Sequence, residues 1–217
     1  MAAKPLVNID IISDVMCPWC WVGKRKLESS MKALEDKIQF RVRWHPYLLR
    51  PAAPPEGIPI PSAFRSGPRV TQLQQAGAAV GINFTFKNTS FPSTIRSHAL
   101  LELAAAKDDG VKQNDVAELL FKAYFVDGKM LTDDDVVDVG KQAGFEANEI
   151  RAYISKQENL DHVVRTAKSW ADKGVEGVPL FYFNGQRMFS GAQDEDVFKR
   201  MLTMAAEKFQ ASTINRA

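Results

Sequence analysis

The stretch LVNIDIISDVMCPWC, residues 6–20, decides the predicted fold. Its first seven residues are mostly apolar and rich in β-branched side chains, which predicts a buried β-strand. The strand runs through a short polar turn into two cysteines that are separated by Pro18 and Trp19. A helix is predicted to begin at Pro18, because proline in the first helical turn has no hydrogen-bond donor to lose. Cys17 is therefore predicted to lie at the N-terminus of a helix.

The neighbouring segments extend this pattern to a β-α-β unit, and a hairpin follows much later. Residues 18–35 carry apolar side chains at a spacing compatible with one helical face, and residues 38–49 alternate apolar and polar side chains as a strand does. In residues 177–191, GVPLFYFNGQRMFSG, the NGQ sequence separates two short β-like runs as a hairpin turn would. A closing helix is predicted over residues 194–209, DEDVFKRMLTMAAEKF.

A proline-rich segment and a series of helices lie between these parts. Residues 51–69 contain six prolines, and we predict that they form an ordered loop or lid that continues neither a strand nor a helix. Beyond them the pattern is helical, and Thr132 followed by three aspartates is typical of a helix N-cap. A length of 217 residues leaves room for one core domain with a sizeable insertion.

Composition and charge are those of an ordinary globular protein. Hydrophobic residues make up 45% and charged residues 25%, and 28 basic against 26 acidic side chains give a net charge of +2, which favours no nucleic-acid partner. The short basic clusters at residues 24–26 and at Arg41 and Arg43 are predicted to be solvated faces. The sequence contains neither a recognisable secretory signal nor the roughly twenty apolar residues of a membrane span. We therefore expect a cytoplasmic protein without a membrane partner, in a compartment that keeps thiols reduced.

Three interpretations are open for Cys17 and Cys20: a redox couple, half of a zinc site, or ordinary core residues. A zinc site needs two further ligands, but His45, His98 and His162 are far apart in the sequence and no second CxxC completes the set. A helix N-terminus favours the thiolate of Cys17, and Cys20, one turn along and predicted to be more buried, can reach back to it. The pattern thus favours a redox pair without a metal, in which a partly exposed Cys17 attacks and Cys20 resolves.

Two segments, DVMCPWCWVGKRKLE and GVPLFYFNGQRMFSGAQ, resemble the DsbA-like branch of the thioredoxin superfamily, more narrowly its FrnE-type members. That group is related to 2-hydroxychromene-2-carboxylate isomerases and kappa-class glutathione transferases. The resemblance extends over nearly the whole chain and includes RWHPYLLRPAAPPEG, KNTSFPSTIRSHALLELA and LLFKAYFVDGKMLTDDDVV. It implies an α/β thioredoxin fold with an inserted all-helical domain, in which residues 1–68 and 158–217 form the thioredoxin-like domain and residues 69–157 the insertion.

The resemblance implies a thiol-disulfide oxidoreductase that acts as an oxidase, isomerase or reductase on protein or small-molecule disulfides. Such an enzyme needs no cofactor, and glutathione could serve as its redox partner. Because DsbA itself has histidine where this chain has Trp19, a cation beside Cys17 is missing, and we expect a potential below the roughly −120 mV of DsbA. Trp19 could instead serve only as part of an apolar rim. A monomer and a homodimer are both compatible with the sequence.

The resemblance also implies roles for residues outside the CPWC sequence. Pro179 is expected to be cis and to face the cysteines, presenting the backbone of Val178 to the substrate; a trans proline that begins a strand is the alternative. Asp14 is expected either to tune the electrostatics of the site or to form a turn. Asn88 and His98 are candidate substrate contacts, and the alternatives are a turn or cap residue for the first and a satisfied, partly buried histidine for the second.

Two rival functions remain open at this point. In the isomerase and transferase relatives the first cysteine position is usually serine, so Cys17 and Cys20 argue against a glutathione-dependent isomerase or transferase. A peptide-binding, chaperone-like module would use the same groove without its thiols. The first rival predicts that turnover survives the loss of Cys20, and the second that client binding survives Cys17→Ser.

Overall fold

A four-stranded mixed sheet forms the centre of the fold. The computed structural model describes residues 4–209 and 212. Its strands are β1 (Leu6–Ser13), β2 (Gln39–Pro46), β3 (Ile58–Pro59), β4 (Ser90–Phe91), β5 (Leu180–Phe183) and β6 (Gln186–Ser190). The main sheet has the order β2-β1-β5-β6; β2 is parallel to β1, β5 is antiparallel to β1, and β6 is antiparallel to β5. The predicted strands and the α/β class are confirmed.

Helices cover the sheet and form most of the rest of the described chain. They are α1 (Pro18–Lys32), α2 (Pro68–Ala78), α3 (Ile95–Ala106), α4 (Gln113–Phe125), α5 (Asp133–Gln142), α6 (Ala147–Ser155), α7 (Gln157–Asp172) and α8 (Glu195–Lys208). α1 joins β1 to β2, α8 packs against α1 and β1, and α7 packs against β2. α3 packs against α4, α5, α6 and α7 and is therefore the central helix of the helical part. Within the described residues, no helix combines the length and apolar character needed to span a bilayer.

The predicted hairpin turn lies at Asn184 and Gly185, between β5 and β6. Both residues have positive φ angles, 47° and 76°, as a two-residue turn with the twist of a hairpin requires. Asn184 also accepts a hydrogen bond from the backbone N–H of Asn8 at 2.8 Å. The turn is thereby attached to β1, the strand that leads to the cysteines.

The proline-rich segment, residues 51–69, contains more regular structure than predicted. β3 lies within it and pairs antiparallel with β4, so that Ile58 faces Phe91. A short 3-10 helix covers Ser62–Phe64, and α2 begins at Pro68. The prediction of a segment without strand or helix was wrong at these positions, because the partner of β3 comes from a distant part of the chain and leaves no local pattern.

One continuous apolar core joins the sheet to the helical part. The ring of Trp21 on α1 stacks on Phe121 and Phe125 of α4, with centroids 6.1 and 6.2 Å away. Thr132 caps α5 through a reciprocal pair of hydrogen bonds with Asp135, as its sequence predicts. The division into residues 1–68 with 158–217 and residues 69–157 stays a prediction, and some of the C-terminal residues in it lie outside the described part.

Lys24 on α1 belongs to a buried charge cluster, contrary to the prediction that the basic residues 24–26 form a solvated face. The side chain of Lys24, predicted to be solvated, is only 3% exposed and binds Glu28 at 2.7 Å and Glu118 of α4 at 2.8 Å. Burial works to raise the pKa of Glu118, but the charge and hydrogen bond of Lys24 outweigh it and hold that pKa below its usual value. The apolar stem of Lys24 enters the core because two carboxylates, one of them from another helix, neutralise its ammonium group.

Candidate active site

The two cysteines lie where β1 passes into α1. Cys17 is the N-cap residue of α1 and Pro18 occupies the first turn. The backbone N–H of Cys17 donates to the carbonyl of Asp14 at 2.9 Å, and that of Cys20 donates to the carbonyl of Cys17 at 3.1 Å. No side chain caps the helix, and its first turn contains no acidic residue. The positive end of α1 is therefore available to an anion at the Cys17 sulfur.

The two thiols have different environments. Both are free, Cys17 is 6% exposed, and Cys20 is fully buried one helical turn behind it. Burial, followed by the hydrogen bond and the charge of Cys17, raises the pKa of Cys20 well above that of an ordinary thiol; Ser13 and the Asp14 backbone oppose this only in part. The order of burial agrees with the prediction, but Cys17 is less exposed than expected because the loop before Pro179 lies over it.

Val178 and Pro179 face the cysteines from the start of β5. The peptide bond between them is cis, and the thiol of Cys17 donates to the carbonyl of Val178 at 3.5 Å. A methyl group at Gly23 of α1 would lie 3.2 Å from the ring of Phe181 and 3.4 Å from the ring of Pro179. The glycine thus allows α1 to approach the strand closely, and the approach brings the Cys17 sulfur to the Val178 backbone.

We define residues 13–20 as the active-site turn. The side chain of Asp14, a residue of this turn, is fully buried. One carboxylate oxygen accepts from the backbone N–H of Met16 at 3.3 Å, and the other from that of Leu49 at 2.8 Å. The carboxylate therefore connects the turn that carries Cys17 to the residues that lead into the proline-rich segment. The bond to Leu49 was not expected from the sequence, because a contact between residues 14 and 49 leaves no pattern in it.

Histidine and tyrosine side chains from the helical part complete the buried cluster around Asp14. His98 of α3 is 2% exposed, and its Nε2 lies 3.6 Å from a carboxylate oxygen of Asp14, farther than a hydrogen bond. Burial and then the charge of Asp14 raise the pKa of Tyr124. His98 thus lies under the site rather than on a surface that a substrate reaches. It is fully rather than partly buried, and its Nε2 has no hydrogen-bond partner among the described residues.

A mostly apolar cavity of about 110 Å³ opens beside the active-site turn. Parts of the chain that are far apart in the sequence surround it: the active-site turn, the proline-rich segment, α2, the residues around β4, and α4. Its lining includes Met16, Pro18, Phe64, Arg65, Phe86 and Phe91. Asn88 also lines the cavity, but its amide nitrogen donates to the carbonyl of Lys129 at 3.0 Å. The structure thus places Asn88 on the cavity beside the active-site turn and gives its amide a partner within the fold.

The tryptophans beside Cys20 differ in their surroundings. Trp19 is half-buried and packs against the edge of the core, as the alternative of an apolar rim residue predicts. Trp21 is 2% exposed and donates its indole N–H to Glu118 at 3.0 Å. Among the described residues, no group of three or more histidine, cysteine, aspartate or glutamate side chains is arranged to hold a metal ion.

Comparison with known proteins assigns the family. The family model described as a DSBA-like thioredoxin domain matches residues 8–203 of this chain, a match that begins in β1 and ends in α8. The chain belongs to the DsbA-like thioredoxin family. The thioredoxin fold predicted from the sequence is therefore confirmed, with the helical part between β2 and β5.

Individual relatives of this DsbA-like protein are distant in sequence. The uncharacterised protein YwbO of Bacillus subtilis (strain 168) is 23% identical over 205 residues, which cover 93% of this chain and 98% of YwbO. A solved structure named "probable DsbA oxidoreductase SCO1869" from Streptomyces coelicolor has a TM-score of 0.79 at 24% identity and covers 96% of this chain and 94% of its own. The cytosolic disulfide reductase DsbM of Pseudomonas aeruginosa, solved with GSH, has a TM-score of 0.64 at 17% identity, with coverages of 91% and 98%. At these identities the solved structures support the fold.

Proposed function

We propose that this DsbA-like protein is a thiol-disulfide oxidoreductase in which Cys17 attacks and Cys20 resolves. The observation that carries the proposal is the position of the Cys17 sulfur, at the N-terminus of α1 and 3.5 Å from the carbonyl oxygen of Val178. Helix dipole and unpaired N–H groups favour the thiolate at this position. The buried Cys20 lies one turn away, where it can attack the same sulfur from inside the protein.

The first chemical step forms a mixed disulfide. The Cys17 thiolate attacks one sulfur of a substrate disulfide, a bond forms between the two sulfurs, and the other substrate sulfur leaves as a thiolate that takes up a proton. The backbone of Val178, beside Cys17, is well placed to align an extended substrate segment. Substrate therefore contacts Pro179 and the loop before it while it is attached to Cys17.

The second step closes the Cys17–Cys20 disulfide and releases the second substrate thiol. Cys20 has to lose its proton first, and the pKa of its thiol is raised by burial and by the hydrogen bond and charge of Cys17. The charge of Cys17 disappears once its sulfur is in the mixed disulfide, so one cause of the raised pKa is removed at the moment when Cys20 is needed. Cys20 is thus kept protonated until Cys17 has reacted.

A trapping experiment tests these roles. Cys20→Ser should accumulate the mixed disulfide with glutathione or with a model protein, visible as a mass increase, because no second thiol remains to release the substrate. Cys17→Ser should form no adduct with the buried Cys20. Adduct formation at Cys20 in Cys17→Ser would contradict the proposed roles.

The same variants separate the rival functions. Glutathione-dependent turnover that survives Cys20→Ser would favour the isomerase or transferase. Client binding that is intact in Cys17→Ser, together with no thiol exchange in the unmodified protein, would favour the chaperone-like module.

The direction of electron flow follows from the reduction potential of the pair. We propose a potential below the roughly −120 mV of DsbA, since Trp19 supplies no cation to the Cys17 thiolate. The fold shared with DsbM, a cytosolic disulfide reductase solved with GSH, supports a reductase or isomerase role in a cytosolic setting with glutathione as redox partner. Tryptophan fluorescence in glutathione buffers should report the transition, because Trp19 and Trp21 flank Cys20. A value near roughly −270 mV favours a reductase, and one near or above roughly −180 mV an oxidase or isomerase.

A further inference from the structure

The net charge of this protein is concentrated next to the active-site cavity. Arg50 and the proline-rich segment contain three arginines and one glutamate, Glu56, which gives a local charge of +2. The whole chain carries 28 basic and 26 acidic side chains, so the remaining residues are balanced at 25 of each. A local excess of positive charge at the mouth of a cavity raises the local concentration of anions.

Two of the three guanidinium groups lie over rings that line the cavity. Arg50 lies over the ring of Phe91 at 4.8 Å, and Arg69 lies over the ring of Phe64 at 5.5 Å. Arg65 itself lines the cavity, as do both rings. Among the described residues, none of the three arginines makes an ion pair with a carboxylate, although each is exposed. The stacking orders Arg50 and Arg69 and leaves their hydrogen-bond donors free for a ligand.

The size and the lining of the cavity indicate which apolar group a ligand could place in it. The volume of about 110 Å³ is comparable with the roughly 150 Å³ of an apolar cavity that binds benzene. Phe64 is 42% exposed although it lines the cavity, and its ring meets that of Phe91 at a centroid distance of 6.1 Å. Met16 and Pro18, the two neighbours of Cys17 in the sequence, also line the cavity. A ring bound here therefore lies beside the turn that carries Cys17.

We propose that this cavity is a specificity site for low-molecular-weight disulfides and thiols that carry an aromatic ring and a carboxylate. The ring occupies the space between Phe64, Phe91 and Pro18, and the carboxylate binds the arginines at the mouth. This inference rests on the proposed oxidoreductase function and names a substrate class for it. Glutathione has carboxylates that could bind the arginines, but it has no aromatic ring to occupy the cavity.

The reaction at this site is ordinary thiol-disulfide exchange. The Cys17 thiolate attacks the sulfur next to the bound ring, and the other half of the disulfide leaves as a thiolate. Cys20 then attacks Cys17, and the bound half leaves as the second thiolate. The protein dithiol loses two electrons and two protons, which appear in two molecules of aromatic thiol.

Four disulfides, each reacted with the reduced full-length protein, separate the two requirements. Dithiobis(nitrobenzoate) has rings and carboxylates, dithiodipyridine has uncharged rings, oxidised glutathione has carboxylates without rings, and bis(hydroxyethyl) disulfide has neither. Each rate constant is divided by that of 2-mercaptoethanol, an uncharged reference thiol, with the same disulfide, so that differences in leaving group cancel and the reference adds no charge repulsion of its own. We expect the largest ratio for dithiobis(nitrobenzoate).

Two variants assign the effect to the cavity. Phe64→Ala should lower the ratio about tenfold for both aromatic disulfides, and Arg65→Gln about threefold for both anionic ones. Arg200→Gln, which removes an exposed arginine of α8, serves as the matched control and should change none of the four ratios. Because Phe64 and Arg65 are exposed, both variants are expected to fold, and thermal unfolding checks this.

The outcomes separate this inference from the proposed function. Reaction of the unmodified protein through Cys17 with all four disulfides at similar ratios, unchanged in Phe64→Ala and Arg65→Gln, would overturn the specificity site and leave the oxidoreductase intact. Rates that are unchanged in Cys17→Ser would overturn the oxidoreductase itself. An Arg65→Gln effect on dithiodipyridine equal to that on dithiobis(nitrobenzoate) would also overturn the role of the carboxylate.

Discussion

The active-site turn and the proline-rich segment line the same cavity but are held in different ways. The turn is buried from Ser13 to Cys17, and backbone hydrogen bonds, a buried carboxylate and the start of α1 fix it. Every residue from 61 to 69 is exposed, and arginine–aromatic stacking and a two-residue sheet hold the proline-rich segment. Under the proposed function, the reacting atoms belong to the firmly held wall, and the groups that would meet a variable substrate belong to the exposed wall.

Stability measurements on the two walls should differ in the same way. Substitutions of buried groups in the active-site turn remove hydrogen-bond partners and should cost about 2 kcal/mol, whereas those in the exposed proline-rich wall should cost about 1 kcal/mol or less. The four expectations below run from the largest effect to the smallest.

Lys24→Ala should have the largest effect. It removes the ammonium group that neutralises Glu28 and Glu118 and leaves Glu118 partly buried without that partner. We expect a loss of about 3 kcal/mol in the free energy of unfolding, the lower end of the range for a broken buried pair, since Glu118 retains some solvent contact and Arg25. Urea denaturation measures it. The control is Lys32→Ala, which removes an exposed lysine from the same helix and should cause no measurable change. Equal effects of both variants would show that the buried cluster does not stabilise α1.

Asp14→Ala should come second, at about 2 kcal/mol. The backbone N–H groups of Met16 and Leu49 would lose their acceptor in an environment that excludes most water. Asp14→Asn keeps one acceptor oxygen and should therefore cost less than Asp14→Ala in the same urea denaturation. If both variants were as stable as the unmodified protein, the turn would not depend on this carboxylate.

The reduced protein should become less stable as the pH rises above about 8.5, where an ordinary thiol loses its proton. The folded protein retains the Cys20 proton because the pKa of Cys20 is raised by burial, whereas the unfolded chain releases it above about pH 8.5. Stability contributed by the protonated thiol is complete below that pH and should fall by up to about 1.4 kcal/mol per pH unit above it. Cys20→Ala should flatten this slope between roughly pH 8.5 and 9.5, before tyrosines titrate. An unchanged slope in Cys20→Ala would assign the loss to other groups.

Arg50→Gln should have the smallest effect. Its exposed guanidinium contributes only a cation-π contact with Phe91, and such contacts contribute about 0.5 to 1 kcal/mol at exposed sites. Denaturation should therefore give a loss below that of Asp14→Ala. A loss as large as that of Lys24→Ala would mean that the proline-rich segment is as firmly built in as the active-site turn.

Local pattern accounts for the elements that the sequence predicted correctly. β1, α1, the hairpin and the cap at Thr132 each depend on residues within a few positions of one another, so alternation, proline and turn residues indicated them. The order of burial of the two cysteines followed from helical geometry in the same way. The family resemblance supplied the cis form of Pro179, which no local pattern around it would reveal.

Features built from distant segments could not be read from the sequence. The pairing of β3 with β4, the burial of Lys24 through Glu118, and the bond from Leu49 to Asp14 each join positions that only the tertiary fold brings together. Lys24 and Glu28 did show the spacing of an ion pair within one helix, which was a usable signal for half of that cluster. The cavity combines five parts of the chain and had no signal of its own.

Gly23 has no reactive group, yet it lies where α1 comes closest to Phe181 and Pro179 and so bears on the distance between the Cys17 sulfur and the Val178 backbone. A Cβ there would lie 3.2 Å from the ring of Phe181 and 3.4 Å from that of Pro179, so that either these rings or α1 would have to shift by a few tenths of an ångström. Where α1 shifts, Cys17 moves with its helix relative to Val178. A position nearly two turns along α1 from Cys17 can therefore alter the spacing of the proposed nucleophile and its groove, and side chains enlarged one atom at a time at residue 23 would form a graded series.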